Sequence, residues 1–308
     1  MLEYALARLL RMVVTMLVIV TGVFFATRLS GNAVDFIGGE GLSAADRATL
    51  VAYYGLDASW LEQYWRYLRA LAEGNFGISL VERRPVSTIA LERVGPSLQL
   101  LVGAVLLTLA VAVPAGTLAA VYRKSWAGSM IMGAAFLGYA IPNFVLAVLL
   151  ILTLSFWLGW LPSSGNGSLA HFVMPVVALS AFYIASLTRF TRNAMLDVLS
   201  QDYLRTARAK GLAEPRVIFK HALRNALITI LSVLGLQIAG LAAAGNVVIE
   251  TIFAWRGIGE MLVSAALRRD YPVLQFGVIA VALAVILINT LVDLAYGAAD
   301  PRVRLARS

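Results

Sequence analysis

Six long apolar runs place the strongest limit on the folds that this chain can adopt. A helix needs about 20 mostly apolar residues to cross the hydrocarbon core of a bilayer, so each run is a predicted membrane span. The runs cover approximately residues 9–29, 98–122, 131–158, 172–190, 226–249 and 274–297. They are continuously apolar, whereas barrel strands alternate polar and apolar residues. We therefore predict an all-α polytopic membrane protein with six transmembrane helices in one domain over residues 1–308.

The composition excludes several kinds of chemistry. The chain is 60% hydrophobic and only 14% charged, whereas a soluble domain carries roughly 25% charged residues. Cysteine is absent, which rules out disulfides, thiolate catalysis and cysteine metal sites. The two histidines, His171 and His221, are predicted on opposite sides of the membrane. We therefore expect no metal site.

Charge is concentrated between the fourth and fifth runs. Residues 189–225 contain eight basic and three acidic side chains. Cytoplasmic loops carry an excess of Lys and Arg, so we predict that residues 191–225 form a cytoplasmic loop and that both termini are cytoplasmic. The same reasoning makes residues 30–96 an extracytoplasmic insertion. The net charge of +8 then reflects membrane topology, and no nucleic-acid partner is expected.

The insertion contains two helix signatures. Ser43 and Ser59 are each followed three residues later by an acid, as in a capping box, and Gly55 and Gly74 stand where the helices would end. The second helix carries four aromatic residues, Trp60, Tyr64, Trp65 and Tyr67. Packing and anchoring at the membrane interface are favoured over a partner surface or a substrate path, because Trp and Tyr are enriched at membrane interfaces.

No site for ATP hydrolysis or for other catalysis is recognisable. The phosphate-binding loop of an ATPase requires a Gly-Lys pair, and none of the three lysines follows a glycine. No nucleophile and base, and no paired carboxylates, stand in a plausible arrangement. We therefore predict a protein that is not an enzyme and has no catalytic residues. If ATP drives it, hydrolysis takes place in another polypeptide.

Polar residues inside the spans are few. The acid Asp293 lies near the end of the sixth run, where a structural partner is favoured over a proton relay. Five further side chains either line a pathway or form hydrogen bonds between helices, namely Gln99, Asn143, Gln237, Asn246 and Asn289. Pro114 and Pro142 predict kinks within spans. A secondary transporter or channel remains an alternative, although intramembrane ion pairs and related halves are lacking. A membrane scaffold without transport is a third.

The basic segment resembles a known motif. Arg205, Thr206 and Ala207, with Gly211 four residues further on, resemble the E-A-A-x-x-x-G loop of inner-membrane permease subunits of ABC importers. Glu is replaced by Arg205. The stretch DYLRTARAKGL is similar to the version of this loop in the dipeptide, oligopeptide and nickel permease group.

Other stretches extend the resemblance over nearly the whole chain. Four further stretches resemble segments of the same permease group, namely ERVGPSLQLL at 92–101, VIETIFAWRGIGEML at 248–262, RDYPVLQ at 269–275 and DLAYGAADPRVR at 293–304. Their order and spacing resemble the B-type member of the permease pair. Arg256 stands where the group usually has Pro, and Gly31–Ala33 replace a common Gly-Asp-Pro.

The resemblance implies a type I ABC importer permease fold in the bacterial cytoplasmic membrane. It implies a homologous second permease as heterodimer partner, two ATPase subunits that bind ATP and magnesium, and an extracytoplasmic binding protein. This chain would hold no cofactor and would form half of the pathway. Peptides are the default solute of the group, while nickel chelates, glutathione and other small solutes use similar permeases.

The resemblance also assigns a role to the basic segment. In such importers a short helix in this loop couples the permease to the ATPase. A helix over about 202–210 with a stop at Gly211 fits this role. The small Thr206 and Ala207 would allow close approach to the ATPase, and its acids would pair with the basic residues Arg205, Arg208 and Lys210. Without the resemblance, a basic loop attracted to membrane lipid headgroups is an equal alternative.

Overall fold

The chain folds almost entirely into helices. The computed structural model describes residues 2–31, 44–53, 57–241 and 246–299. Its helices are α1 Leu2–Leu29, α2 Ala44–Tyr53, α3 Trp60–Ala72, α4 Val86–Val121, α5 Trp126–Ala140, α6 Asn143–Leu150, α7 Leu169–Leu199, α8 Asp202–Ala209, α9 Glu214–Arg216, α10 Leu223–Gly240, α11 Asn246–Ile252, α12 Ile258–Leu267 and α13 Tyr271–Ala299. Two π-helical segments, Ile151–Trp157 and Val217–Ala222, extend α6 and join α9 to α10. The predicted all-α class is confirmed.

Within the described residues, five helical segments are long and apolar enough to cross a bilayer. They are Leu9–Leu29, Val86–Val121, Leu169–Leu199, Glu214–Gly240 and Tyr271–Val292. A sixth span is obtained only if Trp126–Ala140 and Asn143–Trp157 are counted together.

The third predicted span is not continuous. Its two helices meet at an angle of 100°, so the single helix expected over residues 131–158 was wrong. Ile141, between them, is extended at φ −84° and ψ 119°. Pro142 explains this geometry, because its ring disfavours helical backbone at the residue before it and it has no N–H to donate. What the sequence predicted as a kink is a complete break.

Several helices extend beyond the apolar runs that predicted them. α4 begins at Val86, twelve residues before the second run. α7 continues to Leu199, and the next long helical segment begins at Glu214, with the short α8 between them. Only residues 200–213 of the predicted cytoplasmic loop therefore lie between the two long helices. Hydropathy identifies the part of a helix that suits lipid, and the helix can continue into water beyond it.

The fifth run is described in two parts. α10 covers it as far as Gly240, and its last residues, from Asn246, lie in α11. Residues 242–245 lie outside the described residues.

The described residues form two compact units. The first comprises Met1–Ser97 and Arg256–Ile286. Its core consists of apolar side chains from α4, α12 and α13, namely Val86, Ile89, Ala90, Met261, Ala265 and Val273. An ion pair of 2.8 Å between Arg93 and Glu260 joins α4 to α12 within this unit.

Aromatic contacts in the first unit fix α3 against α1. The hydroxyl groups of Thr21 and Tyr64 lie 2.6 Å apart, and the rings of Phe24 and Tyr67 stack at 5.5 Å. Ser59 caps α3 by accepting from the backbone N–H of Glu62, as predicted. Gly74 follows α3 with a φ of +74°. The other predicted helix signals, at Ser43 and Gly55, lie outside the described residues.

A buried carboxylate organises the turn that precedes α4. Asp270 is only 4% exposed. Its oxygens accept from the Ser79 hydroxyl at 2.5 Å and from the backbone N–H of Leu80 at 3.1 Å. The backbone groups of a tight turn need hydrogen-bond partners. Asp270, which directly precedes α13, supplies the acceptor for a turn about 190 residues earlier in the chain.

We expect Asp270→Ala to destabilise the first unit substantially. The substitution leaves the Ser79 hydroxyl and the Leu80 N–H without their acceptor, which costs about 2–3 kcal/mol for bonds to a charged group. The measurement is the thermal unfolding midpoint of the purified protein. Asp57→Ala is the matched control, because Asp57 is exposed. Equal midpoints for the two variants would contradict the role given to Asp270.

The second unit comprises Leu98–Trp255 and Leu287–Ser308. α7 is its centre, with α5, α6 and α10 packed against it. α4 approaches α7 closely at Gly116, where an added Cβ would lie 2.5 Å from Thr191 Cβ and 2.6 Å from the Thr188 carbonyl oxygen. A larger residue there would force the two helices apart.

Candidate coupling site

The helix predicted at residues 202–210 is present as α8, Asp202–Ala209. Asp202 lies in its first turn and Arg208 in its last, an arrangement that suits the helix dipole. Gly211 ends the segment with a φ of +77°, a conformation that side chains other than glycine rarely adopt. The predicted stop at Gly211 is confirmed.

α8 is held to the protein by one apolar side. Leu204 is fully buried and Ala207 is 8% exposed. Both belong to a core cluster that includes Met195 of α7 and Val217 of the following π-helical segment. The spacing of three residues places Leu204 and Ala207 on the same face of α8. α8 therefore cannot roll freely on the surface.

The burial of Ala207 corrects one part of the sequence interpretation. Thr206 and Ala207 were expected to share a surface for close approach to a partner, but Ala207 faces the core of its own chain. Thr206 is exposed, as are four other residues of the predicted site, namely Arg205, Arg208, Lys210 and Gly211. The small size of Ala207 serves packing within the subunit.

The basic residues of the segment differ in their bonding. Arg208 donates two hydrogen bonds to Glu214, at 3.1 and 2.8 Å, across the turn at Gly211. These bonds raise the pKa of Arg208, so its positive charge is fixed at this turn. Arg205 pairs with Asp202 at 3.3 Å within α8. Lys210 forms no ion pair with any residue that the structure describes, and its charge is directed to solvent.

Two contributors to the site, Glu214 and Asn225, were missed by the sequence reasoning. Glu214 holds Arg208, and Asn225 donates to the Tyr203 hydroxyl at 3.0 Å and to the His221 carbonyl at 2.8 Å. Glu214 and Asn225 both lie outside the short motif that identified the segment. An acid following the motif glycine by three residues was a signal for Glu214, but nothing in the sequence indicated the contact between Tyr203 and Asn225.

The polar residues proposed for a pathway are not brought together by contacts in the described structure. Gln237 of α10 donates to the Ser186 hydroxyl of α7 at 3.1 Å. Gln99 and Asn289 are exposed, and Asn143 is half-buried at the start of α6. The side chains of Asn246 and Asp293 lie outside the described residues. Among the described side chains, no group of His, Asp or Glu could hold a metal ion.

Comparison with known proteins identifies the family. Residues 112–305, well over half of the chain and including α8, match the family described as binding-protein-dependent transport system inner membrane component.

Relatives and solved structures agree with this match. The glutathione transport system permease protein GsiC is 39% identical in Escherichia coli K12 and 40% identical in Salmonella typhimurium, over 305 residues and 99% of both chains. A chain of the inward-facing methionine ABC transporter MetNI aligns with a TM-score of 0.60 at 17% identity, covering 70% of this chain and 97% of that one. An amino acid ABC transporter aligns at 0.51 and 16% identity, covering 68% and 94%. The chain therefore belongs to the binding-protein-dependent inner membrane components and is a permease subunit of an ABC importer.

Proposed function

We propose that this permease transmits ATP-driven movement through α8 and the turn at Gly211, and that its solute is glutathione or a similar small peptide. The observation that carries the coupling role is the two-sided structure of α8. Its buried face, Leu204 and Ala207, joins it to the core around α7, while Thr206 and Lys210 are exposed. A helix anchored in this way transmits a force on its exposed face to the long helices that share its core cluster.

The proposal includes the partners that the family implies. Two ATPase subunits bind ATP and magnesium and hydrolyse the nucleotide, while a homologous second permease completes the pathway. A binding protein delivers the solute from the extracytoplasmic side. Both termini and the turn containing α8 lie in the cytoplasm, which agrees with the excess of basic residues in 189–225. ATP binding and hydrolysis then shift the population between inward-open and outward-open states.

The proposed solute rests on the similarity to the glutathione permeases over the whole chain. Identity near 40% across 305 residues includes the membrane helices as well as the coupling segment. Glutathione is a tripeptide, and small peptides are the usual solutes of the wider group. We therefore choose glutathione as the first solute to test.

Photo-crosslinking tests whether α8 contacts the ATPase. The chain has no cysteine, so a single introduced thiol can be labelled specifically with a maleimide-benzophenone. We expect Thr206→Cys, after labelling and illumination of the assembled complex, to form an adduct with an ATPase subunit. Asp57→Cys, in the insertion predicted on the other membrane side, is the control and is expected to form none. If labelled Thr206→Cys attaches to lipid alone, the basic segment is a lipid-binding loop and the coupling role is wrong.

A further inference from the structure

α7 carries a polar and aromatic stripe that the coupling role does not use. Phe182, Ser186 and Arg189 follow one another at spacings of four and three residues, so they lie along one side of this helix. We call these three residues the Arg189 stripe. Its arginine was counted with the basic segment 189–225 in the sequence, and in the structure it lies within α7, ten residues before the helix ends.

α5 and α10 border the stripe on its two sides. Tyr139, near the end of α5, stacks on Phe182 with ring centroids 4.9 Å apart, and the Arg189 guanidinium lies 5.3 Å from the Tyr139 ring centroid. Gln237 of α10 donates to Ser186. The stripe therefore has an aromatic side chain on one side and an amide side chain on the other.

The Arg189 stripe presents a cation without a paired anion among the described residues. Arg189 is exposed, and none of the carboxylates that the structure describes lies within ion-pair distance of it. Tyr139 is 46% exposed, so the stacked pair is open on its outer side. The carbonyl oxygen of Gln237 is buried and has no hydrogen-bond partner within the described structure. The stripe thus offers a charged donor, the Arg189 guanidinium, beside an exposed aromatic ring.

A guanidinium directed at acyl chains is costly, and charged residues of membrane helices therefore face water-filled cavities or partners. Arg189 lies about 30 Å along α7 from its first residue, close to the thickness of the hydrocarbon core. With the orientation proposed above, this is the cytoplasmic end of the pathway. Guanidinium groups bind carboxylates through two parallel hydrogen bonds, and stacking on Tyr139 fixes the orientation of the Arg189 guanidinium.

We infer that the Arg189 stripe lines the inner end of the solute pathway, where Arg189 binds a carboxylate of the peptide-type solute before release. The inference rests on the proposed function, since it requires that a solute with a free carboxylate passes through this subunit. Glutathione carries two such groups.

The first test compares arginine variants in the complete complex, reconstituted into liposomes with its partner subunits and binding protein. Arg189→Gln is expected to lower ATP-driven glutathione uptake by about tenfold, as loss of one charge-assisted bond predicts. Arg189→Lys is expected to restore part of the rate because it retains the charge. Arg123→Gln, an exposed arginine in the turn between α4 and α5, is the control and is expected to match wild type. Equal uptake by Arg189→Gln and wild type would overturn the inference.

The second test measures access by water and does not depend on the arginine variants folding. Ser186→Cys gives a unique thiol in this chain. We expect a charged, water-soluble methanethiosulfonate to modify it in the assembled complex, and S-methylglutathione, which has no free thiol, to slow the modification severalfold. Leu236→Cys, on an exposed apolar face of α10, is the control and is expected to remain unmodified. An unreactive Ser186→Cys, or one whose modification S-methylglutathione leaves unchanged, would overturn the inference.

The two proposals fail in different ways. If the wild-type complex takes up glutathione but the Arg189 and Ser186 variants behave as the controls do, the pathway inference is wrong and the proposed function stands. If the wild-type complex takes up no glutathione although it imports another solute, the choice of solute is wrong, and the pathway inference is overturned for glutathione.

Discussion

Ala207→Asp is expected to prevent correct packing of the coupling segment instead of merely altering its surface. Ala207 is 8% exposed and lies in the same cluster as the fully buried Leu204. A carboxylate placed there would lie among the apolar side chains of this cluster. Burial of an unpaired charge costs about 3 kcal/mol or more, a large part of the stability of a typical domain. We expect a lower thermal unfolding midpoint and little assembly with the ATPase subunits.

Thr206→Asp is the matched control, because it adds the same carboxylate one residue away on the exposed side of α8. We expect this variant to unfold at nearly the wild-type temperature, since an exposed substitution usually changes the free energy of unfolding by about 0.5 kcal/mol or less. If α8 docks on the ATPase, we expect the defect of Thr206→Asp to be confined to solute uptake. A stable Ala207→Asp protein and an unstable Thr206→Asp protein would show that the buried face has been assigned incorrectly.

Gly211→Val is expected to separate ATP hydrolysis from solute uptake. Gly211 has a φ of +77°, and an added Cβ would meet no atom within 4 Å. The expected defect is therefore backbone strain of about 1–2 kcal/mol, which the turn relieves by changing its direction. Since the bond between Arg208 and Glu214 spans this turn, α8 would be reoriented. We expect uptake to fall by about tenfold while ATP hydrolysis continues.

Gly211→Asn provides the control for that prediction. Asparagine tolerates the left-handed backbone far better than valine, and the space around the Cβ position is open. We therefore expect Gly211→Asn to retain most of the uptake. If both variants lose uptake equally, the need for glycine arises from contact with a partner and not from the backbone conformation of the turn.

The sequence predicted the helices and the ends of the coupling helix because local rules determine them. Continuous apolar runs required helices in a bilayer, and the glycine at 211 indicated where α8 ends. The faces of α8 could not be assigned from the sequence. A short basic helix with a few small residues fits more than one orientation, and the buried side depends on the core cluster around Met195 and Val217.

Contacts between distant parts of the chain were beyond sequence reasoning. Asp270 bonds to Ser79 across 191 positions, and Arg93 pairs with Glu260 across 167. Pro142 gave a local signal, but its neighbours decide whether a proline bends a helix or breaks it. The Arg189 stripe was overlooked for a related reason. Hydropathy ended the fourth span at residue 190, so this arginine was counted with the basic cytoplasmic segment, although α7 continues to Leu199.

ATP-driven uptake of radiolabelled glutathione into liposomes tests the central claim most directly. The complex would contain this chain, its partner permease and the two ATPase subunits, with the binding protein added outside. The account predicts uptake that requires both ATP and the binding protein, and that stops when the ATPase subunits are omitted. Uptake by this chain alone, without ATP and at the same rate, would contradict the account and favour a secondary transporter or channel.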